Sequence, residues 1–245
     1  MALITSNITL IQADYITPNV KHFKFSPPNE LPFKFIPGQF ITLHIKIHDK
    51  ILKRSYSIAS IPGQDTTIDF AASYVAGGVA SEYLFNLTPG ATLEIIGPVG
   101  RLVLREEPVK RYVLIATGTG VTPYRAMLPE LEARIKSQQI KVIIMEGVKA
   151  PQNLLYKDDF LTYANRYPEH FQFGAYYSKS QPALYYEHQG YVSHHLNSFK
   201  LNPTEDIVYL CGNPTMIDEV YDYLRTLNFD PSHVRREKYF SAITT

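Results

Sequence analysis

Apolar residues change their spacing along this chain near residue 108. Upstream, short runs rich in β-branched and aromatic residues (Ile8–Ile11, His22–Phe25, Phe40–Ile45 and Ile68–Val75) alternate with turn residues. Breaks fall at Pro27-Pro28, Pro37-Gly38, Pro62-Gly63, Gly77-Gly78, Pro89-Gly90 and Gly97-Pro98-Val99-Gly100. Short strands between close turns predict an antiparallel barrel or sandwich, with one short helix over Ala80–Leu87. After Glu106-Glu107-Pro108 the period lengthens. Strands are predicted over Tyr112–Ala116, Lys141–Met145, Phe171–Tyr177 and Asp206–Leu210, and a last one over Val234–Phe240 at the sheet edge. Between them, helices are predicted over Pro123–Lys136, Asn153–Tyr167, Val192–Phe199 and Pro214–Leu227. Such alternation builds βαβ units and a parallel sheet. Two domains are therefore expected, residues 1–107 and 108–245.

Composition narrows the classes of function. With 45% hydrophobic and 19% charged residues, the 245-residue chain has the balance of a folded protein. A net charge of +1 supplies no basic field for nucleic acid or an anionic membrane. The single cysteine, Cys211, leaves no intramolecular disulfide and no thiolate set for an iron–sulfur cluster, so an iron–sulfur partner is expected as a separate protein. Apolar runs such as Val113–Ala116 and Val142–Met145 are far too short to span a membrane. Met1–Ser6 has no basic stretch leading into an apolar one, so a cytoplasmic protein without signal peptide is expected. His194-His195 lies outside any zinc-type spacing, and no metal site is expected.

In parallel sheets, ligands bind outside the carboxyl ends of strands. The first predicted strand there runs into Thr117-Gly118-Thr119-Gly120-Val121-Thr122-Pro123 and then a helix. Glycines permit close backbone approach, and a helix start offers unpaired N–H groups to a phosphate. Taken alone, the motif serves equally as a tight structural turn or as a diphosphate cradle. Leu210-Cys211-Gly212-Asn213-Pro214 repeats the arrangement, with Cys211 either a small buried apolar residue or part of a site wall. In the first half, alternation sends Arg54 and Tyr56 to one side. An arginine beside an aromatic ring and hydroxyls suits a flat anionic ligand, or is an exposed edge strand. Gly77-Gly78-Val79-Ala80-Ser81 offers a second helix start, or a flexible turn with a serine cap.

In order, Pro37-Gly38-Gln39-Phe40, Arg54-Ser55-Tyr56-Ser57, Gly78-Val79-Ala80-Ser81 and Gly97-Pro98-Val99-Gly100 precede Gly118-Thr119-Gly120-Val121-Thr122-Pro123. Gly147-Val148-Lys149 to Leu154-Leu155-Tyr156 and Cys211-Gly212-Asn213-Pro214 follow. Together they resemble the ferredoxin–NADP reductase family over nearly the whole chain. The resemblance implies a six-stranded antiparallel Greek-key barrel for non-covalent FAD, then a parallel-sheet Rossmann-like NAD(P)-binding domain. It gives Arg54 to the flavin pyrophosphate, Tyr56 to the isoalloxazine face and Ser57 to its N5 edge. Val79, Ala80 and Ser81 are implied to contact the pyrophosphate through backbone and hydroxyl groups. Thr117, Gly118 and Gly120 face the nucleotide, and Cys211 with Gly212 lies beside the nicotinamide. Glu237-Lys238-Tyr239-Phe240 resembles the family's acidic-plus-aromatic ending, with Tyr239 or Phe240 covering the flavin and Phe240 alternatively a core residue. Ser57, Cys211 and Glu237 are the implied catalytic positions.

By the same resemblance the chemistry is hydride transfer between NAD(P)H and FAD, then single electrons to or from ferredoxin or a flavodoxin-like carrier. Alternatives are an oxygenase reductase component, a free-flavin reductase, or a non-catalytic flavin-binding subunit. No nucleic acid partner and no membrane insertion are expected. Ser178-Lys179 stands where the family commonly has Ser-Arg, and Lys149 where many members carry arginine. Lysine keeps the charge but lacks the bidentate fork. Gly190-Tyr191-Val192-Ser193 replaces a frequent Gly-Arg-Val-Thr, losing a third cation. NADPH and NADH both stay open, with a lean to NADPH through Lys149, Ser178 and Lys179.

Overall fold

The computed structural model describes residues 5–28, 33–47 and 50–240, so Met1–Ile4, read above for a leader, lie outside it. The chain divides into two compact units. One takes residues up to Leu104 together with Thr122–Met127; the other takes Arg105–Val121 and Leu128–Phe240.

In the first unit, β1 (Thr5–Thr17), β2 (Val20–Ser26), β3 (Phe40–Ile47), β4 (Lys50–Ser57), β5 (Ile68–Ser73) and β6 (Thr92–Val99) form an antiparallel sheet in the order β4-β3-β6-β1-β2-β5. A bridge between Ile58 and Phe70 and the bond from Ala59 N–H to the Asp69 carbonyl (2.7 Å) join the two end strands. The resulting cyclic order, β1-β2-β5-β4-β3-β6, is the Greek-key barrel expected. Alternation drives it: Ile41, Leu43 and Ile45 of β3 point inward and are fully buried, while their neighbours in sequence are not. Phe23 and Phe25 stack on Phe70 with ring centroids 5.2 and 5.5 Å away. The helix α1 (Val79–Phe85) seats Ala80 and Leu84 in the same core.

One reading of the first half is corrected and another extended. Gly97-Pro98-Val99 is not a turn but part of β6, where the register against β3 shifts between Phe40 and Thr42. Proline and glycine mark a bulge there, since proline cannot donate to the ladder. The strand read at Arg54 and Tyr56 is β4, which begins earlier, at Lys50, where lysines interrupt its apolar pattern.

The second unit is a six-stranded parallel sheet of β7 (Arg111–Thr117), β8 (Lys141–Val148), β9 (Phe171–Tyr177), β10 (Glu187–Gln189), β11 (Asp206–Gly212) and β12 (Val234–Lys238), ordered β10-β9-β8-β7-β11-β12. Strand β10, three residues long with two polar side chains and a glutamate, carries no apolar period and was not expected. Helices α2 (Thr122–Gln138), α3 (Lys157–Arg166) and α4 (Pro214–Thr226) connect the strands. The helix expected over Asn153–Tyr167 is shorter: a 3-10 turn at Pro151–Asn153 comes first, and Tyr156 takes a left-handed φ of 54° that separates the two. Val192–Phe199 is 3-10 rather than α. One face of the sheet buries Val113, Ile115, Ile143 and Met145 with Leu196, Ile217 and Val220. On the other, Phe160 of α3 stacks on Phe173 of β9 at 5.3 Å. Among the described residues, no helix is long and apolar enough to cross a membrane.

Phe70 touches Phe23, Phe25 and Tyr56 at the seam of the barrel. Phe70→Ala is expected to lower the unfolding free energy by about 3–5 kcal/mol, read from urea titration. A loss below about 1 kcal/mol would mean that the seam does not depend on this ring.

Candidate functional site

The strand order of the second unit reverses beside β7: β8, β9 and β10 lie to one side, β11 and β12 to the other. This is the switch point at which open parallel sheets leave a crevice. Register levels the strand ends there, setting Cys211 opposite Ala116 of β7 and opposite Glu237 of β12. Gly118–Val121 folds into a 3-10 turn leading directly into α2, with Pro123 in its first turn. A Cβ on Gly120 would lie 2.3 Å from the Cys211 carbonyl oxygen. Gly212 has φ +120°, and a Cβ on it would meet the Thr117 hydroxyl oxygen at 2.5 Å. That hydroxyl oxygen accepts from Asn213 N–H (2.9 Å), while the Asn213 side chain caps α4 through Thr215 N–H at 2.8 Å. Tyr239 N–H donates to the Gly212 carbonyl at 2.8 Å. Thr117, Gly120, Cys211, Gly212, Glu237 and Tyr239 thus come together, as a surface with little side-chain bulk.

Cys211 is fully buried. Burial, then the nearby Glu237 carboxylate, push its thiol well above the ordinary range, against a hydrogen bond with the Tyr239 side chain. It is a neutral thiol and no nucleophile. Phe240 is 76% exposed, which corrects its reading as a core residue.

The ends of β8 and β9 form a second cluster in this unit. Ser178 N–H donates to the Val148 carbonyl (3.0 Å) and Lys179 N–H to the Lys149 carbonyl (2.9 Å), so the two lysines are neighbours across the ladder, both exposed. Gly190 N–H donates to the Tyr177 carbonyl at 2.8 Å, which brings Tyr191 alongside. Tyr191 is exposed, its ring edge-on to His194.

The first unit has its own cluster. Arg54 and Tyr56 pair with Leu43 and Ile41 of β3 and share one side of β4. The Tyr56 ring stacks on Phe70 at 4.8 Å and 24°. Burial pushes its hydroxyl up to about 12, the Arg54 charge pulling the other way, so the phenol stays protonated. Arg54 is half-buried and donates to the Lys53 carbonyl at 2.9 Å, without an acidic partner among the described residues. Ser57 is buried where β4 ends. At the start of α1, the Ser81 hydroxyl donates to the carbonyls of Val75 (2.9 Å) and Gly78 (2.8 Å) and accepts from Val75 N–H (3.1 Å). It shapes the turn from within, and the first-turn N–H groups of Val79, Ala80 and Ser81 have no partner inside the helix.

Sequence reasoning missed Arg125, whose guanidinium donates to the Ala59 carbonyl at 2.7 Å and reaches Asp65 at 3.2 Å inside the first unit. Nothing in a linear pattern pairs a helix arginine with a loop 60 residues earlier. The cap at Asn213 was also missed, although asparagine before proline at a helix start is a known signature that could have found it. Among the described residues no group of three or more metal-ligating side chains occurs.

Residues 7–104 match the oxidoreductase FAD-binding domain family and residues 114–222 the oxidoreductase NAD-binding domain family. Ferredoxin–NADP reductase B of Sorangium cellulosum is 30% identical over 239 residues, covering 94% of this chain and 96% of that protein. The toluate 1,2-dioxygenase electron transfer component of Pseudomonas putida is also 30% identical, over 96% of this chain, which spans only 66% of that protein. A ferredoxin NADP+ reductase from Neisseria gonorrhoeae, solved with bound FAD and NADP, shares the fold with a TM-score of 0.84 at 21% identity, over 96% of this chain and 99% of that one. Barrel, parallel sheet, both domain families in order and a full-length relative agree: the chain belongs to the ferredoxin–NADP reductase family of FAD- and NAD(P)-binding oxidoreductases.

Proposed function

We propose that this NAD(P)H-dependent flavin oxidoreductase uses NADPH in preference to NADH and exchanges single electrons with a ferredoxin or flavodoxin-like carrier. The observation that carries the reading is the levelled strand end of β7, β11 and β12, where two glycines bare the backbone beside a neutral thiol. Bound flavin supplies the chemistry, taking a hydride from reduced nicotinamide and passing electrons on singly.

The residues fit both groups. Among the described residues no carboxylate pairs with Arg54, so its fork can meet a pyrophosphate, and the N–H groups of Val79, Ala80 and Ser81 complete that grip. Tyr56, held flat against Phe70, gives a planar heterocycle a firm face to stack on. Ser57 orients the N5 edge. In the second unit, the Thr117–Gly120 turn and Gly212 admit a diphosphate and a ring at van der Waals distance. Cys211 walls the nicotinamide without charge, and Glu237 brings negative charge to the same end. Lys149, Ser178 and Lys179 hold a 2′-phosphate. Hydride transfer moves no proton between side chains, so placement rather than acid–base chemistry sets the rate.

A second reading, the reductase component of an oxygenase, is favoured by the equal identity to the toluate dioxygenase component. The two part in their acceptor. Offering the NADPH-reduced protein small iron–sulfur proteins and flavodoxins separates them: turnover with a ferredoxin or flavodoxin supports the first, and turnover only with an oxygenase partner the second.

Lys179→Ala is expected to raise KM for NADPH about tenfold and leave NADH nearly unchanged, the size of one charge-assisted contact. Equal effects on both would take Lys179 away from the 2′-phosphate. Tyr56→Ala is expected to weaken FAD about tenfold in an equilibrium titration of the apoprotein; unchanged retention would end its stacking role.

A further inference from the structure

Glu146, the third residue from the end of β8, has a placement that neither fold nor hydride chemistry calls for. It is fully buried, in a strand whose inner positions are otherwise valine, isoleucine and methionine. A carboxyl inside an apolar sheet is costly, and an apolar residue there would pack at least as well. The room for it comes from both flanks: in register it faces Ala116 of β7 and Ala175 of β9, the smallest side chains in that row. One of its oxygens accepts from Leu155 N–H at 2.8 Å; the other has no hydrogen-bond partner among the described residues. Burial holds the carboxyl well above its usual range, the Leu155 bond working against that.

The bond joins the end of β8 to a residue nine positions on, and so closes the intervening loop. Within that loop, Asn153 N–H reaches only the Ala150 carbonyl (2.9 Å) and Leu154 N–H only the Pro151 carbonyl (3.2 Å). Those bonds shape the turn without tying it to the sheet. Beyond Gly147 and Val148, which are laddered in β8, the backbone ties to the sheet among the described residues are the Lys149 carbonyl, which accepts from Lys179 N–H, and the Leu155 N–H on Glu146. Lys149 lies between the sheet and the second tie.

We propose that Glu146 is a positioning residue for the dinucleotide, its carboxyl seating the loop from Gly147 to Tyr156 against the sheet so that the loop can receive the nucleotide. The inference rests on the reading that Lys149 and its neighbours face the 2′-phosphate. An acceptor is what the seat requires, and a charge is not. Glutamine keeps an acceptor oxygen of the same reach; leucine and methionine keep the volume and lose it.

The test compares Glu146→Leu and Glu146→Gln in the FAD-loaded protein by hydrogen–deuterium exchange and steady-state kinetics. In Glu146→Leu, exchange across 147–156 is expected to quicken about tenfold and KM for NADPH to rise about fivefold with kcat held, the loss of one neutral hydrogen bond. Glu146→Gln is expected to match the wild type in both. Glu146→Met takes the place of leucine should that side chain not fit. Exchange unchanged in the apolar variant overturns the proposal, as does a loosened loop with unchanged KM, or a glutamine variant as impaired as the leucine one. Lys149→Ala checks the reading beneath: if it leaves KM for NADPH unchanged while Glu146→Leu raises it, the lysine loses its assignment and the seating role stands.

Discussion

Where the backbone of Gly120 passes the Cys211 carbonyl, there is no space for even a methyl group. Much of the second unit answers to that approach. It fixes how the turn after β7 lies on the end of β11, and Gly212 does the same from the other side against Thr117. Because β11 is held in register by β7 and β12 together, the closeness carries on to Glu237 and Tyr239. Residues more than a hundred positions apart in the chain are thereby placed by backbone geometry, and their side chains need only decorate the result. A floor of bare peptide suits a flat ring or a diphosphate, since both need contact at van der Waals distance along their length.

The first unit solves a related problem with side chains. Its seam is made by aromatic rings, with Phe70 beneath Tyr56 and the bridge at Ile58 closing the barrel next to Ser57. Tyr56 and Cys211 share one electrical property, for burial keeps each protonated and uncharged.

Most of this architecture was legible in the residues. Alternation in Phe40–Ile47 and the apolar strand Tyr112–Ala116 each state their period plainly, and the glycine turns mark the strand ends. What escaped had a physical reason. Strand β4 showed only in the alternation of Arg54 and Tyr56, because its lysines hide the rest of it from hydrophobic periodicity. Strand β10, three residues without an apolar period, is defined by its pairing with β9. The end of β6 was disguised by Gly97-Pro98, which bend a strand here. In the sites, spacing put the motif residues at strand ends and helix starts but gave none of their bonds. That the Ser81 hydroxyl turns inward, or that Arg125 reaches the Ala59 carbonyl, depends on distances that no spacing encodes.

Two buried glutamates, on the strands either side of β9, have opposite consequences for the folding equilibrium. Burial pushes the Glu187 carboxyl up, but the N–H groups of Ala183 and Leu184 and the Tyr177 hydroxyl together bring it below the usual range. It releases its proton more readily in the native state, so the stability it lends is present above the ordinary carboxylate range and drains away as acid approaches its lowered value. Glu146, with a single donor, does the reverse. Between the ordinary range and its raised value the native chain holds one proton more than the unfolded one, so folding takes a proton from solution and its contribution falls as the medium turns alkaline. The sheet therefore carries an acid-side and a base-side limit within the same few strands.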